Sequence, residues 1–326
     1  PMKFDFLMCS ERSGSNLITR MLDSHPAICG PPARHLFNPV ARNLFRYGDL
    51  RQSDNWSALL KDFADLLESG LSLWRTRVEE AELAQLAATG DVTGLLRGVF
   101  EAEARASGKQ RIFVKENQIY EFILFLELGL PGAHYLYLVR DPRDMALSWK
   151  KSATHAGGVV RAARQWQRDQ IEFLKCFREL SLRGRAMLIH YEALIADPET
   201  ALRRICTQFG LPFANSMLSY HADELTRQNA LHHPAWSNLD KAVMHENRAK
   251  YLSELSPAEI RAVEHICARE MRLLGYAPEG DHSDSGGMSE QELVELEQYE
   301  SQHMPHSPSE GVKRNIEAKQ AFYRKG

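Results

Sequence analysis

The chain has 326 residues, 44% hydrophobic and 25% charged, which is enough to bury a core in one large α/β domain or two modest ones. Its net charge of −3 excludes a strong polyelectrolyte attraction to nucleic acid or to an anionic membrane, so any anion site must be local. Five scattered cysteines (Cys9, Cys29, Cys176, Cys206, Cys267) form no CxxC pair, which argues against a disulfide framework or zinc site and for reduced thiols in the cytoplasm.

Pro1-Met2 reads as an extra residue ahead of a natural start at Met2. Phe4 to Cys9 reads as a short buried strand, and Asp5 within it rules out a signal peptide. The strand runs into Ser10-Glu11-Arg12-Ser13-Gly14-Ser15-Asn16. A helix follows with Leu17, Ile18, Met21 and Leu22 on one face, ending near His25-Pro26 because proline disfavours helix in the residue before it. A strand, a polar glycine loop and a helix together aim free backbone N–H groups at an anion.

Residues 55–106 look helical, with Val92, Leu95, Leu96, Val99 and Phe100 at helical spacing. Arg111 to Lys115 reads as the second strand and Tyr120 to Leu128 as a helix. Tyr135 to Val139 is the third strand. The apolar region 122–139 is broken by Glu127, Pro131 and His134, so no transmembrane segment is expected there. The next helix has a clear start: Asp141 as N-cap, Pro142 at its first position and Asp144 two residues on. A helix from about Ala162 to Leu180 leads to a fourth strand, Ala186 to Tyr191.

One later helix opens at Asp197-Pro198, carries Leu202, Ile205, Cys206 and Phe209, and stops at Gly210. Another opens with the capping box Ser256-Pro257-Ala258-Glu259 and stops at Gly275. Strands alternating with helices predict an α/β fold, a parallel sheet covered on both faces. Ligands in such sheets bind beyond the carboxyl ends of the strands, so the loops at Arg12 and Arg140 should meet in one crevice. The domain is expected to span residues 2–278. Residues 279–326 are expected to form a polar linker (His282 to Gly287), an acidic helix from Ser289 to Tyr299 and a basic one from Val312 to Lys325. Such a tail is more often solvated than functional, although it could also pack on the domain or on a second subunit of a homo-oligomer.

Two segments carry chemistry. The loop Ser10–Asn16 can cradle an anion, but no Lys follows Gly14, so it lacks the usual grip of a Walker A loop on a nucleotide triphosphate and magnesium. Arg140 leaves its strand as a fork of donors suited to phosphate, and Ser148 lies two turns into the next helix.

Taken together, these segments resemble the two motifs of the sulfotransferase superfamily that bind 3′-phosphoadenosine 5′-phosphosulfate (PAPS). Arg12-Ser13-Gly14-Ser15 with Leu17 is similar to the 5′-phosphosulfate loop, and Arg140 with Ser148 to the 3′-phosphate motif. Asp23-Ser24-His25-Pro26, Leu138 to Lys150, Tyr191 to Pro198 and Ile260 to Tyr276 also agree with bacterial members. The resemblance implies a P-loop-like fold that uses PAPS and no metal. It implies that Arg12, Ser13, Gly14, Ser15 and Asn16 surround the 5′-phosphosulfate while Arg140 and Ser148 hold the 3′-phosphate. Arg248 and Lys250 are further candidates from a late loop.

Two residues depart from the family pattern: Glu11 where Pro is common, and Asn16 where Thr or Ser is usual. For the base, Ala33 stands where carbohydrate-type relatives carry Glu, which leaves His35 as first candidate, with a pKa range suited to the task. Lys115 resembles a Lys that relatives place near the transferred group. Glu116 beside it is the second candidate base, or else the two form a structural pair.

The acceptor, a small molecule or a carbohydrate, is expected to meet residues 33–80, 152–165 and 220–245. His232-His233 are candidates there, and the indoles of Trp56, Trp74, Trp166 and Trp236 could stack on a sugar or ring, although each is expected more often in the core. A nucleotide kinase on the same fold, or a non-catalytic PAPS-binding module, are the competing readings.

Overall fold

The computed structural model describes residues 2–232, 236–279, 287–304 and 306–324. Its sheet has five strands: β1 (Lys3–Cys9), β2 (Ile28–Cys29), β3 (Arg111–Lys115), β4 (His134–Val139) and β5 (Ala186–His190). They are parallel throughout, in the order β2-β3-β1-β4-β5. The four expected strands are present. β2 is too short to show any period in the sequence. Tyr191 leaves β5 and opens a helix instead of closing the strand.

The helices are α1 (Ser15–Asp23), α2 (Phe37–Asn43), α3 (Ser53–Glu68), α4 (Glu80–Leu86), α5 (Val92–Ala106), α6 (Ile123–Gly129), α7 (Pro142–Lys150) and α8 (Val159–Leu182). After β5 come α9 (Tyr191–Ala196), α10 (Pro198–Phe209), α11 (Glu224–His232), α12 (Tyr251–Glu254), α13 (Pro257–Leu273), α14 (Glu290–His303) and α15 (Glu310–Arg324).

β1 shows why the sheet needs cover on both faces. Phe4, Phe6 and Met8 join one core, while Leu7 and Cys9 join the other with Ile18, Leu22 and Ile189. The caps form as expected. The Asp141 side chain accepts the N–H of Arg143, and Ser256 and Glu259 close a capping box.

The expected helical stretch 55–106 is three helices. Residues 69–79 and 87–91 interrupt it, with Ser69-Gly70 at the first break. Backbone N–H groups of Arg75 and Thr76 in that break are taken by the buried Glu103 carboxylate, at 2.9 and 2.8 Å. Tertiary hydrogen bonds therefore override the local helical pattern.

The C-terminal segment is not solvated. Glu300 on α14 is 1% exposed and accepts the N–H groups of Val159 and Val160 at the start of α8, at 2.8 and 3.2 Å. On α15, Phe322 is fully buried against Tyr47, and Asn315 donates to the Ser69 hydroxyl at 3.1 Å. Of the expected linker, residues 282–286 lie outside the described residues. Among the described residues, no helix is long and apolar enough to cross a membrane.

Candidate active site

β1 and β4 are neighbours, with Cys9 opposite Leu138, so their C-terminal loops leave the sheet side by side. Gly14 turns the first loop at φ 88, and a Cβ there would lie 2.3 Å from carbons of the Tyr191 ring. A glycine is therefore required on two counts. No side chain caps α1, so the N–H groups of Ser15, Asn16 and Leu17 have no partner within the helix. All three residues line a cavity of about 710 Å³ that extends beyond the strand ends.

Arg12 and Arg140 line the same cavity. Arg140 Nη1 donates to the Arg12 carbonyl at 3.1 Å and Nη2 to the Asn247 carbonyl at 3.3 Å. Its Cζ lies 4.5 Å from the centre of the Tyr191 ring, and its Nε is buried with no hydrogen-bond partner. Arg12 Nε donates to Ser148 Oγ at 3.1 Å. Burial, and then the positive charge of Arg140, hold the Arg12 guanidinium below its ordinary pKa. Two half-desolvated cations facing one space are relieved by an anion placed between them.

Ser13 does not line the cavity, and its buried hydroxyl has no partner. Lys250 lines it, whereas Arg248 is exposed and does not. Asp144 ties down this late loop by accepting the N–H groups of Ala249 and Tyr251, at 2.6 and 3.2 Å.

His35 also lines the cavity, with its backbone in the left-handed region at φ 55. Its Nδ1 lies 3.6 Å from Glu116 Oε2. Glu116 is fully buried and outside the cavity lining, and its other oxygen accepts the Phe37 N–H at 2.9 Å. Burial lowers the His35 pKa; the nearby Glu116 carboxylate opposes this and the charge of Lys319 adds to it.

The alternative of a Lys115–Glu116 pair is not realised, because neighbouring strand residues point to opposite faces. Lys115 lines the cavity and donates to Asn16 Oδ1 at 2.7 Å. Its amine is also lowered by burial.

Glu11 raises the question of a carboxylate beside an anion site. Burial pushes its pKa up, but His155, 3.1 Å away, outweighs that with help from His35 and Lys115 and holds it at about 2. The His155 ring thus holds the Glu11 carboxylate in place. Sequence reading missed this residue because its loop carries no motif.

The expected acceptor windows contribute Ala33, Arg34, Leu71, Thr154, Tyr220 and Trp236. Trp56 and Trp166 are core residues, and Trp74 is spent on the Pro32 carbonyl and on Arg34, whose guanidinium lies 4.7 Å from its ring. His232 is exposed and outside the lining, and His233 lies outside the described residues.

Four residues of α15 also line the cavity: Val312, Asn315, Ile316 and Lys319. Sequence reading missed them too. The available signal was that Asn315 and Lys319 share a helical stripe with Val312 and Phe322.

The comparisons with known proteins concern the family and the fold. The chain is 24% identical over 284 residues to a protein-tyrosine sulfotransferase of Drosophila melanogaster, covering 84% of this chain and 52% of that protein. It thus spans about half the length of that relative. It is 25% identical over 292 residues to protein-tyrosine sulfotransferase A of Caenorhabditis elegans, covering 87% of this chain and 70% of that one. The fold matches the sulfotransferase domain of the Synechococcus PCC 7002 olefin synthase, with a TM-score of 0.61 at 20% identity, covering 85% of this chain and 96% of that one. The sulfotransferase domain of the curacin biosynthetic pathway gives a TM-score of 0.55 at 19% identity, covering 85% and 98%. The pattern of the sulfotransferase family matches residues 6–215, nearly two thirds of the length, and the chain belongs to that family of enzymes.

Proposed function

We propose that this chain moves a sulfuryl group from PAPS onto a hydroxyl, with an amine as second choice, of a carbohydrate, lipid-linked or secondary-metabolite acceptor. One observation carries the reading: Arg12 and Arg140, from two neighbouring strand ends, converge on one cavity and repel each other there. The partnerless Arg140 Nε, the Gly14 cradle and the open N–H groups of α1 fit a dianionic nucleotide. When bound, PAPS supplies the activated sulfuryl group and a phosphate leaving group.

In this reading Arg12 and the first turn of α1 hold the 5′-phosphosulfate, while Arg140, Ser148 and Lys250 hold the 3′-phosphate. Arg12 stays charged, so it stabilises the growing negative charge on the leaving phosphate and does not protonate it. Lys115 and Asn16 stand together where the transferred group would lie.

His35 takes the acceptor's hydroxyl proton on the ring nitrogen turned away from Glu116. As it does so, the acceptor oxygen bonds to sulfur and the broken S–O bond leaves its electron pair with the phosphate held by Arg12. The lowered pKa keeps His35 neutral, and so able to act as a base, at pH 7. Glu116 is too deeply buried to reach an acceptor and acts as a positioning residue, fixing the ring as carboxylates do behind catalytic histidines.

Calorimetric titration with 3′-phosphoadenosine 5′-phosphate (PAP), then labelled transfer from PAPS into an extract of the source organism, tests this. Tight binding of PAP, weakened about 10- to 100-fold by Arg140→Ala, is expected, since a charged hydrogen bond to phosphate contributes about that much. A preference for ATP with magnesium would favour a kinase instead.

A further inference from the structure

We infer that Lys319, delivered to the cavity by α15, recognises the acceptor, and that the acceptor is a hydroxyl compound carrying a carboxylate and an apolar segment. The inference rests on the sulfotransferase reading of the cavity and deepens it on the acceptor side.

The cations lining the cavity can be sorted by what they touch. Arg12 and Arg140 face the shared anion space, and Lys115 is held by Asn16. Lys151 pairs with Glu254. Arg34 donates to the carbonyls of Leu67 and Ser72, at 3.3 and 2.9 Å, while stacked on Trp74. Lys250 and Lys319 remain, and neither amine makes a hydrogen bond or ion pair with any described residue; Lys250 is exposed, whereas Lys319 is partly buried and burial lowers its pKa.

The nearest acidic groups attract Lys319 without pairing with it: Glu11 is held by His155 and Asn117, and Glu116 accepts the Phe37 N–H while its other oxygen lies 3.6 Å from His35. An unpaired, half-desolvated ammonium facing a cavity is a costly arrangement that an anionic ligand would relieve.

The position is held firmly. α15 is pinned by Phe322 in the core, by Asn315 on Ser69 and by Tyr323, whose hydroxyl accepts from Arg42 at 3.0 Å. Lys319 and His35 line the same cavity, and the charge of Lys319 adds to the lowering of the His35 pKa, so Lys319 stands on the side where the acceptor's hydroxyl must arrive. Beside it, Val312 and Ile316 on the same helix and Leu71 on the opposing loop give the cavity an apolar wall. One face therefore offers a cation next to greasy surface, which suits an acid with a short hydrocarbon segment better than a neutral polyol.

Calorimetry on the PAP-saturated protein tests this, with octanoate and methyl octanoate as matched probes. Octanoate should bind at least about tenfold tighter than the ester, as expected for a charge-assisted hydrogen bond. Lys319→Met should erase the difference and Lys319→Arg should keep it, with PAP affinity unchanged in both. In the unmodified protein, octanoate should protect Lys319 from acetylation by acetic anhydride, read by mass spectrometry, and the ester should not. Equal affinity for the two probes, a preference that survives Lys319→Met, or no protection would overturn the inference. A protein that binds octanoate in this way but not PAP would count against the cofactor reading alone, whereas PAP binding without carboxylate preference would count against Lys319 alone.

Discussion

His35 and Arg12 both sit in the left-handed backbone region, at φ 55 and φ 62, where residues with a side chain are uncommon. Each is held there by the fold and aims its side chain into the cavity. For His35 the surroundings also set the chemistry. Burial lowers its pKa, and the Glu116 carboxylate beside it partly restores it by favouring the charged ring. If His35 is the base, kcat/KM should fall as pH drops through that lowered pKa. Glu116→Gln removes the restoring interaction, so the acid limb should move to still lower pH while kcat drops, and the pH–rate profile measures both. His35→Ala should cost roughly 10²–10⁴ in kcat, the usual share of a general base, with PAP affinity unchanged. Full turnover in His35→Ala would end its assignment as base. Arg12, Arg140 and His35 line one cavity, as the two family-like motifs and the segment 30–37 lead one to expect. His155 and Lys319 were not legible in the sequence, since neither lies in a motif: His155 acquires its role from Glu11, more than 140 residues away, and Lys319 from the packing of α15 along the cavity.

At the scale of elements, the turn from β1 into α1 leaves the least freedom. Gly14 has φ 88 and a Tyr191 ring where a Cβ would go, so Gly14→Ala must distort the loop or push back the first residue of α9. That ring also lies against Arg140, so displacement would reach both anion-holding arginines together. Gly14→Ala should therefore weaken PAP binding more than either arginine substitution alone while leaving far-ultraviolet circular dichroism close to normal. Binding within twofold of the unmodified protein would show that the loop tolerates a side chain. Local signals read well where they are self-contained: Asp141-Pro142 and the Ser256 box start α7 and α13 where the sequence places them. They fail where distant groups decide. α3 and α5 are separated because Glu103, inside α5, captures backbone N–H groups of the loop at Arg75 and Thr76. β2 has two residues and exists only by pairing with β3.

For the whole molecule, the sheet order puts β1 at the centre, and the strand alternation already implied a ligand beyond its carboxyl end. The composition of the C-terminal segment pointed the other way, to a solvated tail. What reverses it is a small number of buried polar contacts that average composition hides. Glu300 is the main one: a single carboxylate from α14 satisfies two N–H groups at the start of α8, and Gly158 leaves room for it, since a Cβ there would lie 2.2 Å from its carboxyl carbon. An anion at a helix N-terminus is favourable in itself, and buried N–H groups left bare cost about 1–3 kcal/mol each. Glu300→Ala should therefore lower Tm by several degrees, at roughly 2–4 °C per kcal/mol for a large domain. α14 precedes α15, so loosening it should also expose the chain after residue 300 to protease sooner than the rest and reduce acceptor-side binding before PAP binding. Thermal melts and timed proteolysis check this. A Tm within 1 °C of the unmodified protein would mean that the segment does not depend on this contact, and that α15 holds its wall of the cavity unaided.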